Sequence, residues 1–180
     1  MEKRVFLAIN LPEEIKNILG IFSEKIQAVL PKRAASFPKA ENFHITLHFL
    51  GNQNEERIEK IKAIARNIEK QGNIKANLGK FGGFPNSRQP RVLFVDICGG
   101  IAQLDDLKNK LGGKLEQEGF RIDKRPFNGH ITLARVKEKI PELIINELPR
   151  GEWEISRFDL MESKLSPKGA TYTILESFSL

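Results

Sequence analysis

The chain has only one cysteine and no apolar run long enough to cross a membrane. Cys98 therefore cannot form an intramolecular disulfide, and no CxxC site for a metal or a redox couple exists. Because it lies in the apolar run 92–98, we predict a core residue rather than a nucleophile. No targeting signal is visible in the first residues, and the reducing cytoplasm is the expected location.

Neither sign of charge dominates the composition. The 180 residues include 29 Lys and Arg against 23 Asp and Glu, a net charge of +6. This mild basic excess favours polyanionic partners without identifying one. No low-complexity linker interrupts the sequence, so any two lobes must share a tight interface. A monomer is the expected oligomeric state.

Hydrophobic spacing predicts a mixture of strands and helices. Neighbouring strands look hairpin-like and do not alternate strictly with helices, which favours an α+β fold built on antiparallel sheets. The predicted helices cover 15–26, 58–68 and 104–115, with a short one near 142–148. The predicted strands cover 5–9, 43–50, 74–81, 91–98, 130–136, 154–165 and 170–180.

The most informative feature is a repeated tetrapeptide. The sequence His-Ile-Thr-Leu occurs at 44–47 and again at 130–133, and it uses two of the three histidines. Side chains alternate on a strand, so His44 and Thr46 share one face, as do His130 and Thr132. Two imidazoles and two hydroxyls across one groove suit in-line attack on a phosphoryl group without a metal. A single strand histidine is most often structural; the duplication favours a catalytic pair.

The third histidine raises the alternative of a zinc site. On a helix His44 and His48 would share a face, but on a strand they stand about 13 Å apart, too far to bind one ion. We therefore predict no metal. Strand alternation places His48 on the groove side with Thr46, where it either contacts phosphate or is a partly exposed strand residue. No GxxxxGK[ST] loop or nucleotidyl-transfer lysine motif supports an ATP-dependent reaction.

Further short segments accompany the paired motifs along nearly the whole chain. They are Phe37-Pro38, Glu41-Asn42-Phe43, Phe49-Leu50-Gly51, Phe84-Pro85-Asn86, Pro90–Phe94, Arg125-Pro126-Phe127, Ala134-Arg135, Glu162-Ser163 and Gly169–Tyr172. With them the chain resembles the 2H phosphoesterase superfamily, close to the bacterial and archaeal RNA 2',3'-cyclic phosphodiesterases, also called 2'-5' RNA ligases.

The resemblance implies a single domain over 1–180 with two intimately packed lobes. Antiparallel sheets would be related by a pseudo-two-fold axis, with helices outside and the motif strands lining a central cleft. The implied reaction is metal- and cofactor-free hydrolysis of RNA 2',3'-cyclic phosphate ends to 2'-phosphates, on tRNA fragments or oligonucleotides. His130 would be the proton acceptor and His44 the proton donor, although the two motifs alone leave this order open. Joining to a 5'-hydroxyl would be the same chemistry in reverse.

The resemblance also implies that Phe49 and Arg135, each five residues after a motif histidine, contact the terminal nucleoside. Strict alternation directs both side chains toward the core, so they reach the cleft only if the strands bend or bulge. Plain packing for Phe49 and a surface ion pair for Arg135 remain open. A non-catalytic module that binds nucleotides or RNA ends in the same cleft is the alternative function, and turnover of a nucleoside 2',3'-cyclic phosphate distinguishes the two.

Overall fold

The computed structural model describes residues 2–143, 145, 147–167 and 169–180, which form nine strands and three helices. The strands are β1 (Lys3–Asn10), β2 (Ala35–Ser36), β3 (His44–Gln53), β4 (Ile74–Phe84), β5 (Val92–Cys98), β6 (His130–Val136), β7 (Glu152–Ile155), β8 (Arg157–Ser166) and β9 (Gly169–Ser179). The helices are α1 (Glu13–Val29), α2 (Glu55–Arg66) and α3 (Ile101–Gln117), and a 3-10 turn covers Ala40–Asn42.

All strand pairs are antiparallel, in the order β7-β4-β5-β6-β3-β1-β8-β9, with β2 beside β6. The two halves of this order meet where Ile45 on β3 pairs with Ile131 on β6. Each half contains a strand–helix–strand unit, β1-α1-β3 in one and β5-α3-β6 in the other. The predicted α+β fold with two similar lobes of antiparallel strands is confirmed.

The helices connect the two halves to each other. Helix α1 packs against β6, and α3 packs against β3, so each helix contacts the motif strand of the other half. Apolar side chains from both halves, such as Leu19, Ile45, Leu111 and Ile131, belong to one continuous buried cluster. The helices cover the face of the sheet that carries the motif isoleucines and leave the face with the motif histidines accessible.

Both motif strands contain a β-bulge at the last residue of the motif. On β3, His48 pairs with Leu7 of β1 while Thr46 pairs with Ala8, which leaves one extra residue between them. On β6 the same shift occurs between residues 132 and 134, opposite β5. Because a bulge adds one residue to one strand only, the side chains beyond it point to the opposite face from strict alternation.

Three local predictions are wrong. The predicted strand 154–165 is two strands, because the chain leaves β4 at Ile155 and then pairs with β9 from Arg157 and with β1 from Asp159 onward. Cys98 is exposed, since it ends β5 one residue after the buried Ile97 and so points to the other face.

The short helix predicted near 142–148 is the third error. Glu142, Leu143, Ile145, Glu147 and Leu148 are not helical; Ile144 and Asn146 fall outside the residues that the structure describes. Leu143 and Ile145 both pack against the core. Residues two apart do not share a helix face but do share a face of an extended chain, which explains the difference.

Candidate active site

The two motifs meet where Ile45 of β3 pairs with Ile131 of β6, which joins the two halves of the sheet. The motif isoleucines of this pair are fully buried, so the flanking His44, Thr46, His130 and Thr132 project to the opposite face. Antiparallel pairing sets His44 beside Thr132 and Thr46 beside His130, on strands that are about 4.8 Å apart at the pair. The fold therefore brings all four predicted side chains together, with the imidazoles as diagonal neighbours.

A main-chain carbonyl fixes each motif histidine. His44 Nδ1 donates to the Asn42 oxygen at 2.7 Å, and His130 Nδ1 donates to the Asn128 oxygen at 2.7 Å. A carbonyl only accepts, so Nδ1 must carry the hydrogen in both rings. In the neutral ring Nε2 then has a free lone pair, and in the protonated ring it carries a donor hydrogen. Both histidines thus offer Nε2 for proton transfer.

Each imidazole also contacts two aromatic rings that in turn contact each other. The centroid of His44 is 5.0 Å from Phe6 of β1 and 5.2 Å from Tyr172 of β9, which meets it edge-on. The imidazole of the second motif lies 5.0 Å from Phe84 of β4 and 5.5 Å from Phe94 of β5. Ring contacts from neighbouring strands and a carbonyl bond together restrict how far either imidazole can rotate.

The electrostatic surroundings disfavour protonated His44 in the free protein. Burial is the main cause that lowers the pKa of His44, and the hydrogen bond to the Asn42 carbonyl opposes it. The positive charges of His130, Lys16 and Arg135 lower the pKa further. The effect of His130 agrees with the strand pairing, since charges interact strongly only at short range. A phosphate anion at this position would act in the opposite direction.

Phe49 and Arg135 lie on the exposed face because of the bulges. Phe49 is 57% exposed, and its ring lies 5.6 Å from Phe6, which also contacts His44. Arg135 is exposed and close enough to lower the pKa of His44. The geometric condition for both side chains to reach the cleft is therefore met. Phe49 is not a core residue, and within the described residues Arg135 has no ion pair.

The prediction that His48 faces the groove is wrong. His48 is only 2% exposed, and its Nε2 donates to the Lys108 carbonyl of α3 at 2.7 Å. The bulge at Leu47 reverses the alternation and turns this ring into the core, next to Gly112. Burial lowers the pKa of His48, and the buried Nδ1 has no hydrogen-bond partner among the described residues. His48 is therefore a packed core histidine.

Sequence reasoning missed the supports of the two histidines. Asparagine stands two residues before each of them, so the repeat is in fact Asn-x-His-Ile-Thr-Leu, and this signal was available. The Asn42 side chain also donates to the Ala170 carbonyl at 2.9 Å, which ties the first motif to β9. Tyr172 lies in the segment Gly169–Tyr172 that accompanies the motifs, but its contact with His44 was not predicted. Lys16 comes from α1, and no local pattern identifies it.

Within the described ranges, no three His, Cys, Asp or Glu side chains come together in a way that could hold a metal ion. Over the same part of the chain, no helix is long and apolar enough to span a membrane.

Known proteins resemble the chain over its whole length. A model of the family described as LigT like Phosphoesterase matches residues 9–94 and 95–172. A Thermus thermophilus protein named RNA 2',3'-cyclic phosphodiesterase is 35% identical, over 98% of this chain and 90% of its own length. An Archaeoglobus fulgidus protein of the same name is 33% identical, over 97% of this chain and 99% of its own length. The crystal structure of E. coli LigT complexed with 3'-AMP superimposes with a TM-score of 0.83 at 27% identity, covering 100% of this chain and 99% of that one.

Proposed function

The chain belongs to the LigT-like phosphoesterases of the 2H superfamily, and from this premise we propose that it hydrolyses RNA 2',3'-cyclic phosphate ends to 2'-phosphates. The observation that carries the proposal is the meeting of the two His-x-Thr pairs on one face, with Nε2 of both histidines available. The names of the relatives in Thermus thermophilus and Archaeoglobus fulgidus support the substrate class.

The proposed reaction uses one histidine on each side of the phosphorus. His130 Nε2 accepts a proton from water as the water oxygen attacks phosphorus. The bond from phosphorus to the 3' oxygen breaks, and His44 Nε2 gives its proton to that oxygen. The products are a 2'-phosphate and a free 3'-hydroxyl. Thr46 and Thr132 donate hydrogen bonds to the non-bridging oxygens, where negative charge increases in the transition state.

The surroundings of His44 make its protonation depend on the substrate. As the proton donor it must be protonated in the complex, yet burial lowers its pKa in the free protein. The negative charge of the bound phosphate raises the pKa, because an adjacent opposite charge stabilises the imidazolium. Substrate binding thus favours the protonated form of His44, which later gives its proton to the 3' oxygen.

We further propose that Phe49 stacks on the terminal nucleoside and that Arg135 contacts it or its phosphate. The exposed ring of Phe49 and the proximity of Arg135 to His44 support this arrangement. Aromatic and guanidinium planes can stack on any base, so recognition would tolerate different sequences. The substrate would be the end of a tRNA fragment or oligonucleotide, met by a monomer in the cytoplasm.

Ligation would use the same steps with a different nucleophile. A 5'-hydroxyl in place of water would attack the cyclic phosphate and produce a 2'-5' linkage, again with the 3' oxygen as leaving group. Neither ATP nor a metal enters this scheme. Water is the more abundant nucleophile, so we expect hydrolysis to be the main outcome.

Product analysis tests the proposal. An oligoribonucleotide with a 2',3'-cyclic phosphate end is incubated with the protein, with and without a strand that carries a 5'-hydroxyl, and the products are identified by phosphorus NMR and mass spectrometry. A 2'-phosphate is expected as the main product. Formation of a 3'-phosphate would contradict the proposed regiochemistry, and tight binding without any product would favour the non-catalytic binding module.

A further inference from the structure

A basic groove of about 460 Å³ lies at the carboxyl end of β6, the strand that begins with His130. One wall is the loop between β4 and β5, with Arg88 and Arg91; the other is the segment after β6, with Lys137 and Lys139. Glu138 also lines the groove and offsets one of these four positive charges. We call this feature the basic groove.

The positive charges of the basic groove are not neutralised by the protein. All four cationic side chains are exposed, and none forms an ion pair with another described residue. Some cations on the helical side are neutralised, since Lys60, Arg66 and Lys110 each have a carboxylate oxygen at 3.4 Å or closer. Surface ion pairs add little stability, so their absence here costs the fold little and leaves the charge available to a ligand.

The groove is continuous with the residues around the two histidines. The loop between β4 and β5, which forms the first wall, ends where the Arg91 N–H donates to the Phe84 carbonyl at 2.6 Å. The ring of the same Phe84 contacts His130. The other wall starts at Val136, whose N–H donates to the Arg91 carbonyl at 2.9 Å, directly after Arg135. A strand that leaves the site past Arg135 in the direction of β6 therefore runs toward these two walls.

We infer that the basic groove binds the backbone phosphates of single-stranded RNA on the 5' side of the terminal nucleotide. The inference rests on the proposed function, since a cyclic phosphate occupies the 3' end and the rest of the strand must leave the cleft. Exposed Lys and Arg side chains bind phosphates without reading the bases. The groove therefore distinguishes an RNA strand from a mononucleotide, which has no upstream phosphate to offer.

The length of the strand follows from the geometry. Lys137 is seven residues beyond His130, about 23 Å at 3.3 Å per residue. A bound strand that advances about 3.4 Å per nucleotide, as one strand of double-stranded DNA does, would bring to the groove phosphates up to about seven nucleotides from the end. The catalytic efficiency should increase with strand length and become constant near that length.

A variant pair with matched charge tests the inference. The groove variant carries Arg88→Gln, Lys137→Gln and Lys139→Gln. The control carries Lys25→Gln, Lys60→Gln and Lys70→Gln, which removes the same charge from exposed positions in and beside helices α1 and α2. The kcat/KM of each protein is measured for a nucleoside 2',3'-cyclic phosphate and for strands of two to ten nucleotides with the same terminal nucleoside.

We expect the ratio of kcat/KM for the ten-nucleotide strand to that for the mononucleotide to fall about tenfold or more in the groove variant only. The slope of log kcat/KM against log salt should also become less steep by about two, at about 0.7 for each of three lost contacts. A ratio equal to that of the parent, or an equal fall in the control, would overturn the inference.

Binding separates this inference from the proposed function. The affinity for a fluorescent ten-nucleotide strand, measured by anisotropy, should weaken about tenfold in the groove variant. If the parent, the groove variant and the control turn over both substrates with the same kcat/KM ratio and bind the strand with the same affinity, the role of the groove is rejected and the proposed function stands. Absence of turnover in the parent would reject the proposed function, and the anisotropy would then still decide whether the groove binds RNA.

Discussion

At the scale of single residues, the three histidines occupy two different environments. His44 and His130 lie on the accessible face with Nδ1 bonded to a carbonyl, whereas His48 is buried on the helical side. We expect His44→Ala and His130→Ala each to lower kcat about 10²- to 10⁴-fold, the usual contribution of a general acid or base.

His48→Gln is the matched control for this comparison, measured by steady-state kinetics beside thermal melts. It should keep kcat near that of the parent and lower the melting temperature, because the ring it changes is buried against α3 on the opposite side of the sheet. Near-full turnover in either motif variant, in a protein that melts like the parent, would reject the two-histidine mechanism.

The pH dependence of catalysis offers a second residue-scale test. Burial and positive neighbours lower the pKa of His44, so one inflection of the bell-shaped kcat/KM profile should lie below pH 6.5. Lys16→Gln removes one of those charges and should move that inflection to higher pH. An inflection that stays in place, or moves to lower pH, would show that the ring near Lys16 does not titrate in the reaction.

At the scale of elements, two adjacent glycines in α3 provide a matched pair. A Cβ at Gly112 would lie 3.1 Å from the His48 ring, whereas a Cβ at Gly113 would meet nothing within 4 Å. Alanine favours a helix over glycine by about 0.5–1 kcal/mol, so Gly113→Ala should stabilise the protein. Gly112→Ala gains the same helix propensity, but its methyl group crowds the His48 ring, which the hydrogen bond to the Lys108 carbonyl holds in place. We expect this overpacking to cost about 1–3 kcal/mol.

Urea denaturation measures the difference between these two variants. Gly112→Ala should be less stable than Gly113→Ala. Equal stabilities would mean that the His48 ring moves aside freely, in conflict with its buried hydrogen bond.

The elements also show where sequence reasoning works and where it fails. Period-two alternation correctly placed His44 and Thr46 on one face, because the motif itself is regular strand. The same alternation predicted the wrong face of the sheet for His48 and for Phe49. Both lie beyond the bulge, which depends on how β3 pairs with β1, forty residues earlier in the chain. A local pattern does not contain that information. The bulge that Phe49 and Arg135 need in order to reach the cleft occurs on both strands.

At the scale of the whole molecule, each half depends on the other. Helices α1 and α3 each pack beneath the motif strand of the opposite half, so separating the halves would expose the core. We propose that residues 1–180 form one cooperative domain and expect a single unfolding transition. Fluorescence of Trp153, on β7 in one half, should change at the same urea concentration as the far-UV circular dichroism of all the strands and helices. A fluorescence transition displaced from the circular dichroism would indicate independent lobes.

The stability of the whole molecule should depend on pH through its buried imidazoles. Burial lowers the pKa of both His44 and His48, so the unfolded chain, with a histidine pKa near 6.5, binds protons that the folded chain does not. The free energy of unfolding should therefore fall as the pH falls below about 6.5. Asp123, whose pKa its bonds to Arg125 lower to about 2, acts only at much lower pH.

Urea titrations at pH 7.5 and 5.5 measure this loss. The His48→Gln variant should lose less stability between the two values than the parent, since one titrating group is gone. An equal or larger loss in the variant would contradict a buried neutral His48.

The hydrogen bonds from His44 and His130 to main-chain carbonyls affect which substitutions positions 42 and 128 can accept. Every amino acid has a main-chain carbonyl, so no codon change at position 42 or 128 can delete the acceptor itself. Only a shift of the backbone can release the rings. Mutational drift and laboratory libraries can therefore change position 128 and retain the tautomer of His130. At position 42 a change also removes the bond from the Asn42 side chain to the Ala170 carbonyl, so selection there acts on the path of the main chain.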